Sequence, residues 1–509
     1  MGNQLVWFKK DLRVTDHAPL SLAAQAGPCL CLYVFEPELI FAPDFDSSHA
    51  EFIRQSLFDL KQALENRGGV LLIQTGRMPE VLDALHQRYG FEALWSHEET
   101  GNDLSYARDL RVADWVKQKG LRWTELPQTG VVRRLKSRDR WAAHWEKRMS
   151  HDVIPPPNRL VPVPGLQASS TIPTLADLGL PPHSKPAMQS GGELAAQDTL
   201  RSFLTQRGQN YQKGMSSPVT AGEECSRLSP YLTWGNVSVR QVYQATLHQI
   251  QTVSAGPKGP ESLQWLRSLR SFNKRLHWHC HFMQKLEDEP GIDFENMNRA
   301  FDGLRDPEPD KDLLAAWIQG QTGYPLVDAC MRALHQQGWI NFRMRAMLAS
   351  FSAYHLWLHW REPAVQLARH FLDFEPGIHY SQFQMQSGVT GINTIRIYSP
   401  IKQAKEQDPT GAFIRQFVPE LADLPNEFIH EPHTLPPLLA LSYGFQPGVH
   451  YPLPVVDHAT AYRQAKERIF EWKRRPEVRQ MAQTVYEKHG SRQRPTRPLS
   501  AKRSESPRS

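Results

Sequence analysis

Short apolar runs and amphipathic helical patterns alternate over the first 130 residues. Runs rich in β-branched and aromatic residues predict five strands, at Leu5–Phe8, Cys29–Phe35, Val70–Gln74, Ala93–Ser96 and Leu121–Leu126. The clearest helical pattern between them places four apolar side chains on one face, those of Ile53, Leu57, Leu60 and Leu64. Strands that alternate with helices are typical of a doubly wound parallel sheet, so we interpret residues 1–130 as an α/β domain.

The first predicted strand does not lead into a dinucleotide-binding turn. It runs into Phe8–Arg13 (FKKDLR), which has no glycine-rich turn through which a pyrophosphate could approach the backbone. A dinucleotide site of the usual kind is therefore not expected in this domain.

The pattern changes twice further along the chain. Residues 151–190 contain nine of the 39 prolines, and we interpret 131–190 as a proline-rich linker between domains. From about residue 191 to 470 the periodicity is helical, most clearly in Ala315–Gln337, Asn341–Trp360 and Pro363–Phe371. This region is predicted to be a second, mostly α-helical domain.

Charge is concentrated at the carboxyl end. The net charge of the chain is 59 − 53 = +6. Residues 473–509 contain 11 Lys/Arg and 3 Asp/Glu, a local charge of 11 − 3 = +8, so the other residues together carry 6 − 8 = −2. The remainder of the chain is therefore slightly acidic, so the high isoelectric point does not indicate a nucleic-acid-binding core. We predict that residues 471–509 form a basic, disordered tail.

Several features point to the cytoplasm. No run of 18 apolar residues predicts a membrane span, and the short apolar start before Lys9 is too brief for a signal peptide. The five cysteines are odd in number and scattered, which fits a reducing compartment. We expect a cytoplasmic monomer that does not contact membranes.

Motifs in both halves resemble the photolyase/cryptochrome flavoproteins, in family order over about residues 3–470. They are Leu5–Asp16 (LVWFKKDLRVTD), Ser226–Leu232 (SRLSPYL), Gly320–Ala329 (GQTGYPLVDA), Gly338–Asn341 (GWIN) and Phe413–Leu421 (FIRQFVPEL). The resemblance implies an α/β domain followed by a helical domain that binds FAD. It also implies that an antenna chromophore, a folate or a deazaflavin, can accompany the flavin.

The resemblance assigns the FAD contacts in two groups. Contacts on the phosphate side are implied for Tyr211, Cys225, Ser226, Arg227, Leu228 and Ser229. Contacts near the flavin ring and ribose are implied for Arg345, Asp373, Glu375 and His379. Hydroxyls and backbone N–H groups at a helix start can bind a pyrophosphate, and a cation beside the ring stabilises reduced flavin. Cys225 departs from the family, which usually has Thr there.

The positions that would face damaged DNA are only partly kept. Trp278 matches an aromatic residue that contacts the lesion in cyclobutane-dimer photolyases, and Arg343 matches a DNA-contacting arginine. That class has Glu where this chain has Arg275, and an arginine can stabilise negative charge but cannot release its proton. Catalytic positions are therefore assigned to Trp278, Arg275 and Met385, and DNA contacts to Trp278, Phe342 and Arg343.

Neither known lesion class is matched at the remaining pocket positions. Phe342, Ala346 and Met385 stand where the cyclobutane-dimer class has Asn, Met and a second Trp. The (6-4) class needs two His at the positions of Phe342 and Ala346. The resemblance thus leaves the lesion type open.

One residue of the family's three-tryptophan electron-transfer route is kept. In register, the middle Trp is Trp360, whereas Phe383 occupies the ring-proximal position and Pro307 the surface position. Phenylalanine is much harder to oxidise than tryptophan, so the usual route should be blocked at its first step. Substitutes are offered by Trp278, Trp317, Trp339, Trp357 and Tyr380.

No metal is expected. Residues 277–281 (HWHCH) suggest ligation, but on a helix only His277 and His281 share a face. The iron–sulfur subgroup of the family needs a set of cysteines that Cys225, Cys280 and Cys330 do not complete.

The expected function is blue-light-driven repair of pyrimidine photoproducts in DNA by a photolyase-type lyase, with electron transfer from reduced FAD. The alternative is a cryptochrome-like photoreceptor that binds FAD and signals through a protein partner. Arg275, Phe342 and Ala346 favour that alternative. A third hypothesis is a flavin protein that does not depend on light.

Overall fold

The computed structural model describes residues 2–166 and 168–491. A five-stranded parallel sheet forms the first domain, with strand order β3-β2-β1-β4-β5. The strands are β1 Asn3–Phe8, β2 Cys29–Phe35, β3 Leu71–Thr75, β4 Phe91–His97 and β5 Arg122–Leu126. All five predicted strands are confirmed, β2 with the predicted bounds and the others with ends shifted by at most two residues.

Helices connect the strands and cover both faces of the sheet. They are α1 Ala18–Ala26, α2 Pro37–Ile40, α3 Ser47–Glu65, α4 Met78–Tyr89 and α5 Asp103–Lys119. Side chains alternate along each strand, so that Val6, Phe8, Cys29 and Cys31 pack in the core shared with the helical domain. Leu5, Trp7, Leu30 and Leu32 face the opposite core.

The predicted linker contains a helix, α6 Trp141–Met149. Its apolar residues Trp141, Trp145 and Met149 are four residues apart and buried, which places them on one face. After α6, the described residues of the proline-rich segment, 151–166 and 168–192, contain no helix and cross between the domains. The linker interpretation therefore needs correction for residues 141–149, because an apolar stripe there packs a helix onto the core.

The second domain is helical, as predicted. Its helices are α7 Glu193–Thr205, α8 Tyr211–Gly214, α9 Pro218–Glu224, α10 Ser229–Thr233, α11 Val239–Ala255, α12 Pro260–Asp288, α13 Lys311–Gln319, α14 Pro325–Gln337, α15 Phe342–Ser350, α16 Arg361–His370, α17 Pro376–Gln386, α18 Pro400–Gln407, α19 Ala412–Phe417, α20 Pro437–Ser442, α21 His458–Lys473 and α22 Pro476–His489. A π turn, Phe351–His355, follows α15. Helices α13 and α14 end at Gly320 and Gly338, whose φ angles of 65° and 70° favour glycine.

The two domains are joined by buried polar contacts. The carboxylate of Glu193 accepts the backbone N–H of Val14 at 2.8 Å and that of Thr15 at 3.2 Å. Asp16 accepts the Ser238 hydroxyl at 2.5 Å and the Arg240 guanidinium at 2.6 Å. These bonds fix the loop after β1 against the start of the helical domain.

The prediction of a disordered tail is wrong for residues 476–489. Val478, Val485 and His489 of α22 are buried, and His489 Nε2 lies 2.6 Å from the carboxylate of Glu289. The signal was present, because Val478 and Val485 are seven residues apart on one helical face, but the surrounding charges concealed it. The basic run Arg492–Arg497 lies outside the described residues.

Within residues 2–166 and 168–491, no helix combines the length and apolarity that crossing a membrane requires. All five cysteines are buried and none forms a disulfide. They behave as small apolar side chains, as expected for Cys29 and Cys31 on the buried strand β2.

Candidate functional site

A buried ion pair lies at the centre of the helical domain. Arg345 on α15 donates two parallel bonds to Asp373, Nη1 to Oδ1 at 3.0 Å and Nη2 to Oδ2 at 2.8 Å. Arg345 Nε also donates to the Ile340 carbonyl at 2.9 Å, and its guanidinium lies 4.1 Å from the Phe371 ring centroid. These contacts hold the cation in one orientation, and its place beside the flavin ring stays a prediction.

The segment Cys225–Ser229 reaches the same site. Arg227 adopts a φ of 60°, and its guanidinium lies 4.1 Å from the ring centroid of Trp339, whose Nε1 donates to Ser229 Oγ at 3.3 Å. Burial lowers the pKa of Arg227 to about 10, although the Asp373 carboxylate opposes the shift. The short turn before α10 therefore places a cation and hydroxyls close to the Arg345–Asp373 pair.

Tyr211, Cys225 and Arg275 form a neighbouring group. Burial raises the pKa of both Tyr211 and Cys225 to about 12, and Arg275 favours ionised Tyr211 through a hydrogen bond. Arg275 also lies 3.8 Å from the sulfur of Met215. Arg275 was assigned to the lesion side, but in the structure it contacts the tyrosine that was assigned to the phosphate side of FAD.

Glu375 and His379 are the other two residues predicted to contact the flavin ring and ribose. Burial raises the pKa of Glu375 to about 7, and its Oε1, 3.9 Å from Lys10 Nζ, has no hydrogen-bond partner among the described residues. His379 Nε2 donates to the Ala364 carbonyl at 2.7 Å, and burial lowers the pKa of this imidazole to about 4. His379 is therefore neutral near pH 7, with its lone pair on Nδ1.

This arrangement fits FAD. The cations Arg227 and Arg345 suit an anionic ligand, while the unpaired Oε1 of Glu375 and Oδ1 of Asn341 are buried acceptors that a bound donor would satisfy. Sequence reasoning missed Gln189, whose Oε1 accepts from Arg227 Nε at 3.0 Å. Nothing in its proline-rich surroundings distinguishes Gln189 as a site residue.

Comparisons with known proteins agree with the geometry. Two family models match, "FAD binding domain of DNA photolyase" over residues 272–471 and "DNA photolyase" over residues 4–137. A cryptochrome DASH of Gloeobacter violaceus is 30% identical over 89% of this chain and 93% of its own length. The chain belongs to the photolyase/cryptochrome family. It binds FAD in its helical domain.

Two further relatives of this family match over nearly the whole chain. A deoxyribodipyrimidine photo-lyase of Agrobacterium fabrum is 28% identical over 91% of this chain and 96% of its own. The crystal structure of a class III photolyase from Agrobacterium tumefaciens superposes with a TM-score of 0.82 at 27% identity, covering 93% of this chain and 98% of that one. Relatives of both the repair and the cryptochrome type are thus similar to this chain.

The residues assigned to DNA lie at the surface end of the site. The side chains of Trp278 and Phe342 are 40% and 52% exposed, unusually high values for large aromatic residues. Trp278 stacks on Phe282 with ring centroids 5.8 Å apart. Arg343 Nη1 donates to Gln403 at 3.4 Å, and Met385 is half-buried on α17. Their role in catalysis or DNA contact stays a prediction.

A cavity of about 100 Å³ lies between the two domains at the carboxyl ends of the strands. Lys9, Lys10 and Glu99 line it from the α/β domain, and Trp234 and Phe374 line it from the helical domain. It has room for several water molecules, whereas a folate or deazaflavin would require side chains to move. The antenna chromophore therefore stays a prediction.

The histidines form hydrogen-bond and ring contacts. His277 and His281 both pack against Trp141, with ring centroids 5.0 and 5.9 Å away. Within the described residues, one trio is close enough to hold a metal, Asp11, His17 and His97. His17 Nδ1 accepts the Leu20 N–H, so its Nε2 carries a proton that is donated to Asp11 at 3.0 Å, which leaves no lone pair for a metal.

Trp360 is buried and lies beside Tyr380 of α17. Its Nε1 donates to Asn296 Oδ1 at 2.7 Å, and its ring lies 6.3 Å from that of Tyr380. Because Phe383 occupies the ring-proximal position, the Trp360→Phe variant should photoreduce oxidised FAD at nearly the wild-type rate. Flavin absorbance under continuous blue light measures this rate, with Trp145→Phe as the control because Trp145 is also buried and belongs to none of the proposed routes. Abolished photoreduction in Trp360→Phe alone would show that the family route is intact.

Proposed function

We propose that this protein is a blue-light-driven DNA repair enzyme that splits ultraviolet-induced pyrimidine photoproducts. The observation that supports the proposal is that an exposed aromatic residue and the Arg345–Asp373 ion pair lie on the same helical face. Phe342 and Arg345 are three residues apart on α15, so one helical face carries an exposed ring and, deeper, the orienting cation. The two linked bases of a flipped-out photoproduct could stack at the surface end of this face.

Bound FAD supplies light absorption and the electron that the splitting of a photoproduct requires. The protein's own contribution is to orient the Arg345 cation and the extruded bases and to exclude water from them. Asp373 holds Arg345 in a fixed direction, and Trp278 and Phe342 offer flat surfaces for extruded bases.

The deciding experiment is repair of ultraviolet-irradiated oligonucleotides by the fully reduced protein under blue light. Cyclobutane dimers and (6-4) products are assayed separately, with dark samples and Trp278→Ala as controls. Light-dependent loss of either product supports the proposal. No repair of either product would remove it and leave the cryptochrome-like photoreceptor, which Arg275, Phe342 and Ala346 favour.

Replacing Arg343 by alanine should weaken binding to damaged duplex DNA. Arg343 is half-buried, and its only bond to another side chain in residues 2–166 and 168–491 is the 3.4 Å contact with Gln403. It is therefore available to a phosphate. In Arg343→Ala the slope of log binding constant against log salt concentration should become less steep by about one, because one fewer phosphate is neutralised. Fluorescence anisotropy at several salt concentrations measures the slope.

The control for this variant is Arg201→Ala, because Arg201 is 74% exposed and its one ion pair within the described part of the chain is with Asp198 on its own helix. Its salt slope should equal that of the wild type. Equal slopes for Arg343→Ala and the wild type would place the DNA contact elsewhere.

A further inference from the structure

Tyr380 links the flavin side of the helical domain to the α/β domain. It lies on α17 directly after His379, and the two rings have centroids 5.4 Å apart. Its hydroxyl donates to Asp44 Oδ2 at 3.1 Å, across a sequence separation of 336 residues. The side chain of Tyr380 is buried, so its phenol is shielded from bulk water.

Aromatic contacts run from the ion pair to this tyrosine. Arg345 lies over Phe371, the ring centroids of Phe371 and His379 are 5.9 Å apart, and Tyr380 follows His379. On its other side, Tyr380 meets Trp360 edge to face at 6.3 Å. Tyr380 is thus the oxidisable side chain that these contacts place between the flavin site and Trp360.

Asp44 is placed to accept a proton. It lies between α2 and α3, lines the interdomain cavity, and also accepts the Asn102 amide at 3.3 Å. The cavity has room for several water molecules, through which a proton can reach solvent. Asp293 and Arg361 are the other charged groups that influence Tyr380.

Trp360 lacks such a base. Its indole N–H donates to the amide oxygen of Asn296, which is neutral and a poor proton acceptor. An oxidised Trp360 would therefore keep its proton and its positive charge in a buried position, which is unfavourable. Oxidised Tyr380 would avoid that cost by losing its proton to Asp44.

We propose that Tyr380 is the terminal electron donor to photoexcited oxidised flavin in this chain, with Asp44 as its proton acceptor. One electron passes from Tyr380 to the flavin. The phenol O–H bond breaks as an O–H bond forms on the Asp44 carboxylate, leaving a neutral tyrosyl radical and a protonated carboxyl group. The proposal rests on FAD binding and not on DNA repair, so a negative repair assay does not affect it.

The test uses the full chain with FAD bound and oxidised, illuminated with blue light and frozen for electron paramagnetic resonance. A neutral tyrosyl radical should appear, and its spectrum should narrow when the protein contains ring-deuterated tyrosine. In Tyr380→Phe the radical should disappear, and flavin photoreduction should slow by about tenfold or more. A wild-type spectrum without a tyrosyl radical, or an unchanged one in Tyr380→Phe, would overturn the proposal.

The matched control is Tyr354→Phe, because Tyr354 is equally buried in the helical domain but its hydroxyl has no hydrogen-bond partner among the described residues. Its radical yield should equal that of the wild type. Asp44→Asn keeps the tyrosine but removes the base, and it should lower the radical yield by about tenfold or more at unchanged FAD content. If Tyr380→Phe loses FAD, Asp44→Asn decides, and an undiminished radical in that variant contradicts the proposal.

Discussion

Replacing either Arg345 or Asp373 by alanine should yield a purified protein without its flavin. Their two bonds, of 3.0 and 2.8 Å, are shielded from water, since the side chains of Arg345 and Asp373 are only 24% and 3% exposed. Removing one partner leaves an uncompensated, poorly hydrated charge, which costs about 3–5 kcal/mol in the flavin-binding arrangement of the site. Because that arrangement becomes the minor one in the apoprotein, the affinity for FAD should fall by about a hundredfold or more. The ratio of flavin absorbance to protein absorbance after purification measures the loss.

The matched control for this prediction is Arg299→Ala. Arg299 also forms ion pairs, with Glu295 and Asp302, but its side chain is 48% exposed and such surface pairs contribute little. Arg299→Ala should remain fully yellow. Folded, fully yellow Arg345→Ala and Asp373→Ala proteins would show that the ring site lies elsewhere.

Replacing Asp328 by alanine should destabilise the helical domain more than a typical point mutation. The fully buried carboxylate accepts the Thr322 N–H at 2.8 Å, the Thr322 hydroxyl at 2.6 Å and the Gly323 N–H at 3.1 Å. It also accepts the Tyr451 hydroxyl from the distant segment before α21. Each buried donor left unpaired costs about 1–3 kcal/mol, so we expect a loss of at least about 3 kcal/mol in the free energy of unfolding.

Urea unfolding followed by circular dichroism measures this loss as a lower midpoint. The control is Asp312→Ala, because Asp312 is an exposed acid in the first turn of α13 and contributes less than about 1 kcal/mol. Equal midpoints for Asp328→Ala and the wild type would mean that other groups or water satisfy these donors.

The family motif around Asp328 thus has a structural explanation. In the run Gly320–Ala329, the turn at Gly323 has a φ of 76°, and the carboxylate at the start of α14 closes that turn. The motif was visible in the sequence, but its role was not. The partner Tyr451 is 123 residues away, and only packing brings it to the carboxylate.

Local patterns determined the parallel sheet and the helical second domain, because burial of one face leaves a period of two or of about 3.6 in the sequence. Register with the family placed Arg345 and Asp373 together, and the structure brings them into contact. The sequence also contains the apolar stripes of α6 and α22. Because α6 precedes a proline-rich segment and α22 lies among many charged residues, both were assigned to irregular structure.

Long-range contacts were decided by the tertiary structure alone. The neighbour of Tyr380 in the α/β domain, Asp44, lies 336 residues away, and no periodicity relates two such positions. The position of Arg275 beside Tyr211 likewise depends on how α12 packs against α8. A sequence encodes the apolar stripe that drives each element into the core, whereas the polar partners that meet there follow from the three-dimensional packing of all the elements together.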